Sequence, residues 1–100
     1  MRVQLLYIDA CPSWRQADEL LHVALRSVGA EVEVEHVLVQ TVEQAEASDF
    51  HGSPTILVDG LDPFPHAAGA AGLSCRLYPT PQGLAGSPTV TQLVEALTRS

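Results

Sequence analysis

The stretch VQLLYIDACPSWRQADELLHVALRSVG, from Val3 to Gly29, carries the reading on which the fold turns. Its first part, Val3 to Asp9, is a short apolar run with β-branched and aromatic members. That is the length and composition of a strand buried on both faces. Beyond Cys11 and Pro12, the residues Trp14, Ala17, Leu20, Leu21, Ala24, Leu25 and Val28 recur at helical spacing. Gly29 supplies the left-handed residue at which helices commonly stop. Pro12 suits the first helical turn, because its missing N–H would have no intrahelical partner there. One of the chain's two cysteines therefore sits between the end of a strand and the start of a helix.

Working outward, Glu31 to Val39 sets Val32 and Val34 against glutamates and reads as a second strand. Thr41 and Gln44 have capping-box spacing and open a short helix running to about Ser48. Thr55 to Val58 is a third strand, ended by Gly60. Residues 61–73, LDPFPHAAGAAGL, are rich in glycine, proline and alanine without a period and read as a loop. Ser74 to Tyr78 is a fourth expected strand, followed by a turn-rich PTPQGLAGSP. A last helix carries Val90, Leu93, Val94 and Leu97 on one face. It starts at Ser87-Pro88 or at Thr89, where Thr89 and Gln92 repeat the capping-box spacing.

The order is βαβαββα. A helical connection between the first two strands calls for a right-handed parallel crossover, while the last two strands are close enough in sequence to pair antiparallel. The expectation is a single α/β domain over residues 1–100, with a mixed four-stranded sheet and helices on both faces. One hundred residues, 46% of them apolar, suffice for a proper core.

The net charge is −7, and all five basic residues are scattered arginines. An acidic surface without a basic cluster argues against nucleic acid and against an anionic membrane. No apolar run approaches the ~18–20 residues of a membrane span. The N-terminus lacks the apolar core and cleavage site of a signal peptide. A cytoplasmic location follows as the expectation, with both cysteines reduced at rest. His22, His36 and His66 are isolated along the chain and lack metal-ligand spacing, so no metal or cofactor is expected.

Cys11-Pro12-Ser13-Trp14 resembles the C-x-x-C motif of the thioredoxin and glutaredoxin superfamily in its place after the first core strand, in its proline and in its first cysteine. Trp14 stands where the resolving cysteine would be. A second marker of that superfamily, a cis-proline opening the next core strand beside the reactive sulfur, is similar to Gly52-Ser53-Pro54-Thr55 followed by ILVDG. Together the markers extend the resemblance from Val3 to Leu97. It implies a thioredoxin-like fold, a cis Ser53–Pro54 peptide, and a site with Cys11 and Pro54 in the catalytic positions. Pro12, Trp14 and Ser53 would line the substrate, and Asp9, His51 and Cys75 would be accessory. The segment after the third strand, DGLDPF, lacks the glycine and aspartate pattern with which glutaredoxins hold glutathione.

The placement of Cys11 has its own physical sense. A thiol at a helix N-terminus faces unpaired N–H groups and the positive end of the helix dipole. Such sites lower a cysteine from ~8.5 into the range of about 3.5–7.5. A neighbouring Asp9 carboxylate would oppose this and a protonated His51 would assist it. Trp14 shares a helix face with Ala17 and Leu21 and is expected to pack. Cys75 has two readings. The simplest layout puts it at the far end of the sheet as an inert strand cysteine. If the loop of residues 61–73 returns over the site, it becomes a resolving or co-ligating thiol, which requires Cα atoms within roughly 7 Å.

The function expected from these residues is monothiol exchange. Cys11 would attack a disulfide or a small thiol adduct, form a mixed disulfide and be released by an external thiol or by Cys75, the partner being a thiol- or disulfide-containing protein or small molecule. Two alternatives stand beside it. Cys11, Cys75 and Asp9 offer a set for a soft metal, a chemistry with a faint likeness to that of organomercurial lyases. The groove around Pro54 could instead hold an extended peptide without any reaction.

Overall fold

A computed structural model describes residues 1–66 and 72–99. β1 (Val3–Tyr7) is the central strand of a three-stranded sheet ordered β2-β1-β3. Its alternation sends Val3, Leu5 and Tyr7 to one face, and Leu6 and the following Ile8 to the other. Both faces are covered, which is why the run is apolar nearly throughout. β2 (Val34–Leu38) lies parallel to β1 with Val3 opposite Val34, as a helical crossover demands. β3 (Thr55–Val58) lies antiparallel on the other side, with Val3 opposite Val58.

α1 (Ser13–Ser27) buries Ala17, Leu21, Ala24 and Leu25 at the spacing that the sequence displays. It packs with α3 (Val90–Arg99) over one sheet face, where Leu93, Ala96 and Leu97 join Leu5, Ile56 and Val58. The other face carries a smaller cluster of Leu6, Ile8, Cys11, Val39, Phe50 and Leu57, closed by Ala45 of α2 (Val42–Ala47). Both capping boxes are made. Gln44 N–H donates to Thr41 Oγ1 at 3.1 Å, and Thr41 N–H donates back to Gln44 Oε1 at 3.2 Å. Thr89 and Gln92 repeat the exchange at 2.9 and 3.2 Å.

The main sheet has three strands where four were expected. Residues 74–77, read as most of a fourth strand, do not run along β3. They lie beside Gly52 and Ser53, just before it. Ser53 N–H donates to the Ser74 carbonyl at 2.8 Å, and Arg76 N–H donates to the Ser53 carbonyl at 2.9 Å. These make an isolated parallel bridge between Ser53 and Cys75.

The remaining pairing is a hairpin. β4 (Tyr78–Thr80) and β5 (Gly83–Ala85) pair antiparallel inside the segment read as turns. Gly83, at φ +108°, and the Thr80 hydroxyl, which accepts from Gln82 N–H at 3.2 Å, shape its tight loop. Both strands have only three residues, too few for an alternation to register against the prolines around them. β1 and β2 are also shorter than expected. Asp9 turns toward α1, and residues 31–33 precede the ladder. No helix among the described residues is long and apolar enough to cross a membrane. The expected loop of residues 61–73 lies in part, at 67–71, outside the described residues.

Candidate functional site

Past β1 the chain turns at Asp9-Ala10, and Cys11 N–H closes the turn by donating to the Ile8 carbonyl at 3.3 Å. Pro12 then caps α1 at φ −71°, a value its ring imposes. The result drops Cys11 below the surface, 1% exposed, into the cluster formed by Leu6, Ile8, Val39, Phe50 and Leu57. Ser53 fastens the next segment beside it. Fully buried, its hydroxyl accepts from Ile8 N–H at 3.1 Å, and its carbonyl lies 3.6 Å from Cys11 Sγ. The Ser53–Pro54 peptide is cis, as the resemblance implied, and Pro54 is buried.

Cys75 completes the arrangement. Its bridge to Ser53 brings it onto Cys11, and the two are joined as a disulfide with Cα atoms 6.0 Å apart. This does not fit the monothiol reading, and of the two readings of Cys75 it replaces placement at the far end of the sheet with return over the site. The physical reason is Gly52. At φ +106° it lets the Arg76 backbone come so close that a Cβ on residue 52 would stand 2.8 Å from the Arg76 Cβ. Any side chain there would force segment 74–77 to shift away from this close approach.

The other expected site residues lie around this pair. Pro12 and Asp9 are exposed on its solvent side. Asp9 and Ala10 border a shallow cleft of about 340 Å³, lined also by Ile8, Leu38, Val39 and Leu73. Trp14 is half-buried and packs as expected. Its ring stacks on Tyr7 with centroids 4.1 Å apart, and the Arg15 guanidinium lies 5.4 Å from its centroid.

His51 belongs to a different group of side chains. Its Nδ1 lies 2.8 Å from Asp62 Oδ2, and its ring stacks on His66 at 3.7 Å between centroids. Asp62 is buried and takes a second partner, Arg76, whose Nη1 donates to Oδ2 at 2.6 Å. Its Oδ1 accepts from Phe64 N–H at 2.9 Å. Arg76 in turn lies over the Tyr78 ring at 4.3 Å, and the Tyr78 hydroxyl donates to the Pro54 carbonyl.

His66 is thus not isolated in space, nor are the other two histidines read that way. His22 and His36 both meet Asp18, at 3.3 and 2.8 Å. Ligand atoms of His51, Asp62 and His66 lie within 4.8 Å of one another. The Asp62 oxygen they share is already paired with a guanidinium, so the group is an ion-pair network under residues 74–77. The sequence reading missed Asp62 and Arg76. The available signal was short, an aspartate two residues before Phe64 in a segment dismissed as aperiodic.

No protein-family model, curated protein or solved structure matches this chain. The site must be read from its own chemistry. A disulfide with one partner buried at the end of a central strand, before a helix N-terminus, can accept two electrons and return a dithiol. Its environment bears on both states. Cys11 directly precedes Pro12, the N-cap of α1, and its Sγ lies 3.6 Å from the Ser53 carbonyl, which would accept a hydrogen bond from a Cys11 thiol.

Proposed function

We propose that this chain is a thioredoxin-like thiol–disulfide oxidoreductase whose redox pair is Cys11 and Cys75. The observation that carries the reading is that these two cysteines, the only ones in the chain, meet beside Ser53–Pro54 at the carboxyl end of β1. Open α/β sheets place their sites at such strand ends. The resemblance of CPSW and GSPT to the superfamily's two markers supports it. Cys75 takes over the resolving role that Trp14 leaves vacant.

The net reaction is two-electron exchange. Two substrate thiols become one disulfide, while the Cys11–Cys75 bond is reduced to two thiols, or the reverse. We place the protein in the cytoplasm, where protein disulfides are chiefly transient and catalytic or redox-sensing. There the dithiol form would act as a reductant. The partners are thiol- or disulfide-bearing proteins or small molecules.

The test is equilibration of the folded protein with dithiothreitol and with glutathione buffers, scored by mass after thiol alkylation. It is followed by assay of the dithiol form against a small disulfide. Reversible interconversion, and exchange faster than that of an equal concentration of free cysteine, is expected. A pair that stays closed in excess dithiothreitol until the chain unfolds would make the bridge a structural staple and end this reading. A dithiol no faster than free cysteine would leave the peptide-binding alternative in its place.

A further inference from the structure

The two cysteine residues differ in exposure. Cys11 is 1% exposed, with Leu6, Ile8, Val39 and Phe50 packed around it. Cys75 is exposed, on a segment whose Leu73 and Leu77 are exposed too. An attacking thiolate must reach the sulfur it attacks, on the side away from the sulfur that leaves, so access decides which one exchanges. Attack on Cys11 would have to pass through the apolar cluster. Cys75 is the residue of the pair that solvent reaches.

We propose that Cys75 is the sulfur that exchanges with substrates, and that Cys11, the cysteine of the CPSW motif, is the buried partner that leaves and later resolves. This rests on the redox reading above and assigns its order of events. A substrate thiolate forms a bond to Cys75 Sγ as the Cys11–Cys75 bond breaks, and the electron pair stays on Cys11. That thiolate departs at the residue just before Pro12, the N-cap of α1, where the helix dipole favours negative charge and the surrounding apolar cluster opposes it. A second substrate thiolate then attacks the substrate sulfur of the mixed disulfide. The substrate disulfide is released, and Cys75 is left as a thiolate.

In the opposite direction the Cys75 thiolate attacks a substrate disulfide and expels one substrate thiolate. Cys11 then attacks Cys75 Sγ, expels the other and restores the bridge. The cleft bordered by Ala10 and Leu73 flanks both cysteines in sequence and offers apolar contact to the group attached to the substrate sulfur.

The experiment maps the mixed disulfide in the oxidised protein. Cysteamine serves as the probe, since a cationic thiol is not repelled by a net charge of −7. After brief exposure, free thiols are trapped with N-ethylmaleimide and the peptides are read by mass. Cysteamine on Cys75 with maleimide on Cys11 should exceed the inverse pattern by about tenfold or more, because access favours the outer sulfur.

Single-cysteine variants give a second readout. The thiol left in Cys11→Ser should react with an aromatic disulfide about tenfold faster than the thiol left in Cys75→Ser. Adducts mainly on Cys11, or an even split, would overturn the order while leaving the redox pair intact. A bridge that no thiol opens in the folded protein would overturn both.

Discussion

Reducing the Cys11–Cys75 bridge should lower the stability of this domain by about 4 kcal/mol. The two cysteines are 64 positions apart. Closing a loop of that size removes about 14 cal/mol/K of chain entropy from the unfolded state, or about 4.3 kcal/mol at 25 °C in the loop-entropy model. The folded state has little to offset this. Cys11 remains packed after reduction, Cys75 is exposed in any case, and the two backbone bonds between Ser53 and residues 74 and 76 do not depend on the sulfurs.

Urea titration of the oxidised and reduced protein, followed by fluorescence of the single tryptophan stacked on Tyr7, measures the difference. At a slope of about 1.4 kcal/mol per molar urea, the midpoint should fall by roughly 3 M on reduction. Cys75→Ser, which cannot form the bridge and places its serine at an exposed position, should match the reduced protein. Coincident midpoints for the oxidised and reduced forms, with thiol counts verified, would refute the argument.

Two further outcomes follow from the packing beneath segment 74–77. Asp62 and Arg76 form a buried ion pair, so Arg76→Met alone should cost about 3 kcal/mol by removing the guanidinium and leaving the carboxylate to His51 and the Phe64 N–H, and Asp62→Asn in the same background should cost much less. Additive losses in a double-mutant cycle measured in urea would dissolve the pair. Burial pushes the Tyr78 phenol above its ordinary value, and its hydroxyl donates to the Pro54 carbonyl. The folded state therefore keeps a proton that the unfolded chain gives up near pH 10, so this stability is complete below about pH 10 and is lost as the pH rises beyond it. Absorbance at the phenolate band should show Tyr78 ionising together with alkaline unfolding, and Tyr78→Phe should flatten that pH dependence. Ionisation of Tyr78 well before unfolding would contradict it.

The elements with a period were legible because periodicity is a local property. The helical stripe from Trp14 to Val28 must bury one face, the doubly apolar run at Val3 to Asp9 must lie inside a sheet, and the capping boxes at Thr41 and Thr89 act within a single turn. The junction at Cys11 was legible for the same reason, since a strand ending where a helix begins puts a cysteine between them at the strand's carboxyl end. Whether that cysteine stands alone was not a local matter. Cys75 reaches it because segment 74–77 docks on Ser53 and not along β3. That choice depends on a glycine more than twenty residues away with no Cβ in the path, and on Asp62, from a further segment, which pairs with Arg76 of the docking segment itself. The sequence by itself determined the three strands of the main sheet, the three helices and the candidate thiol at Cys11, but not the hairpin of β4 and β5. Only the tertiary structure decided that the two thiols are partners and which of them faces water, because pairing and burial are contacts between residues distant along the chain.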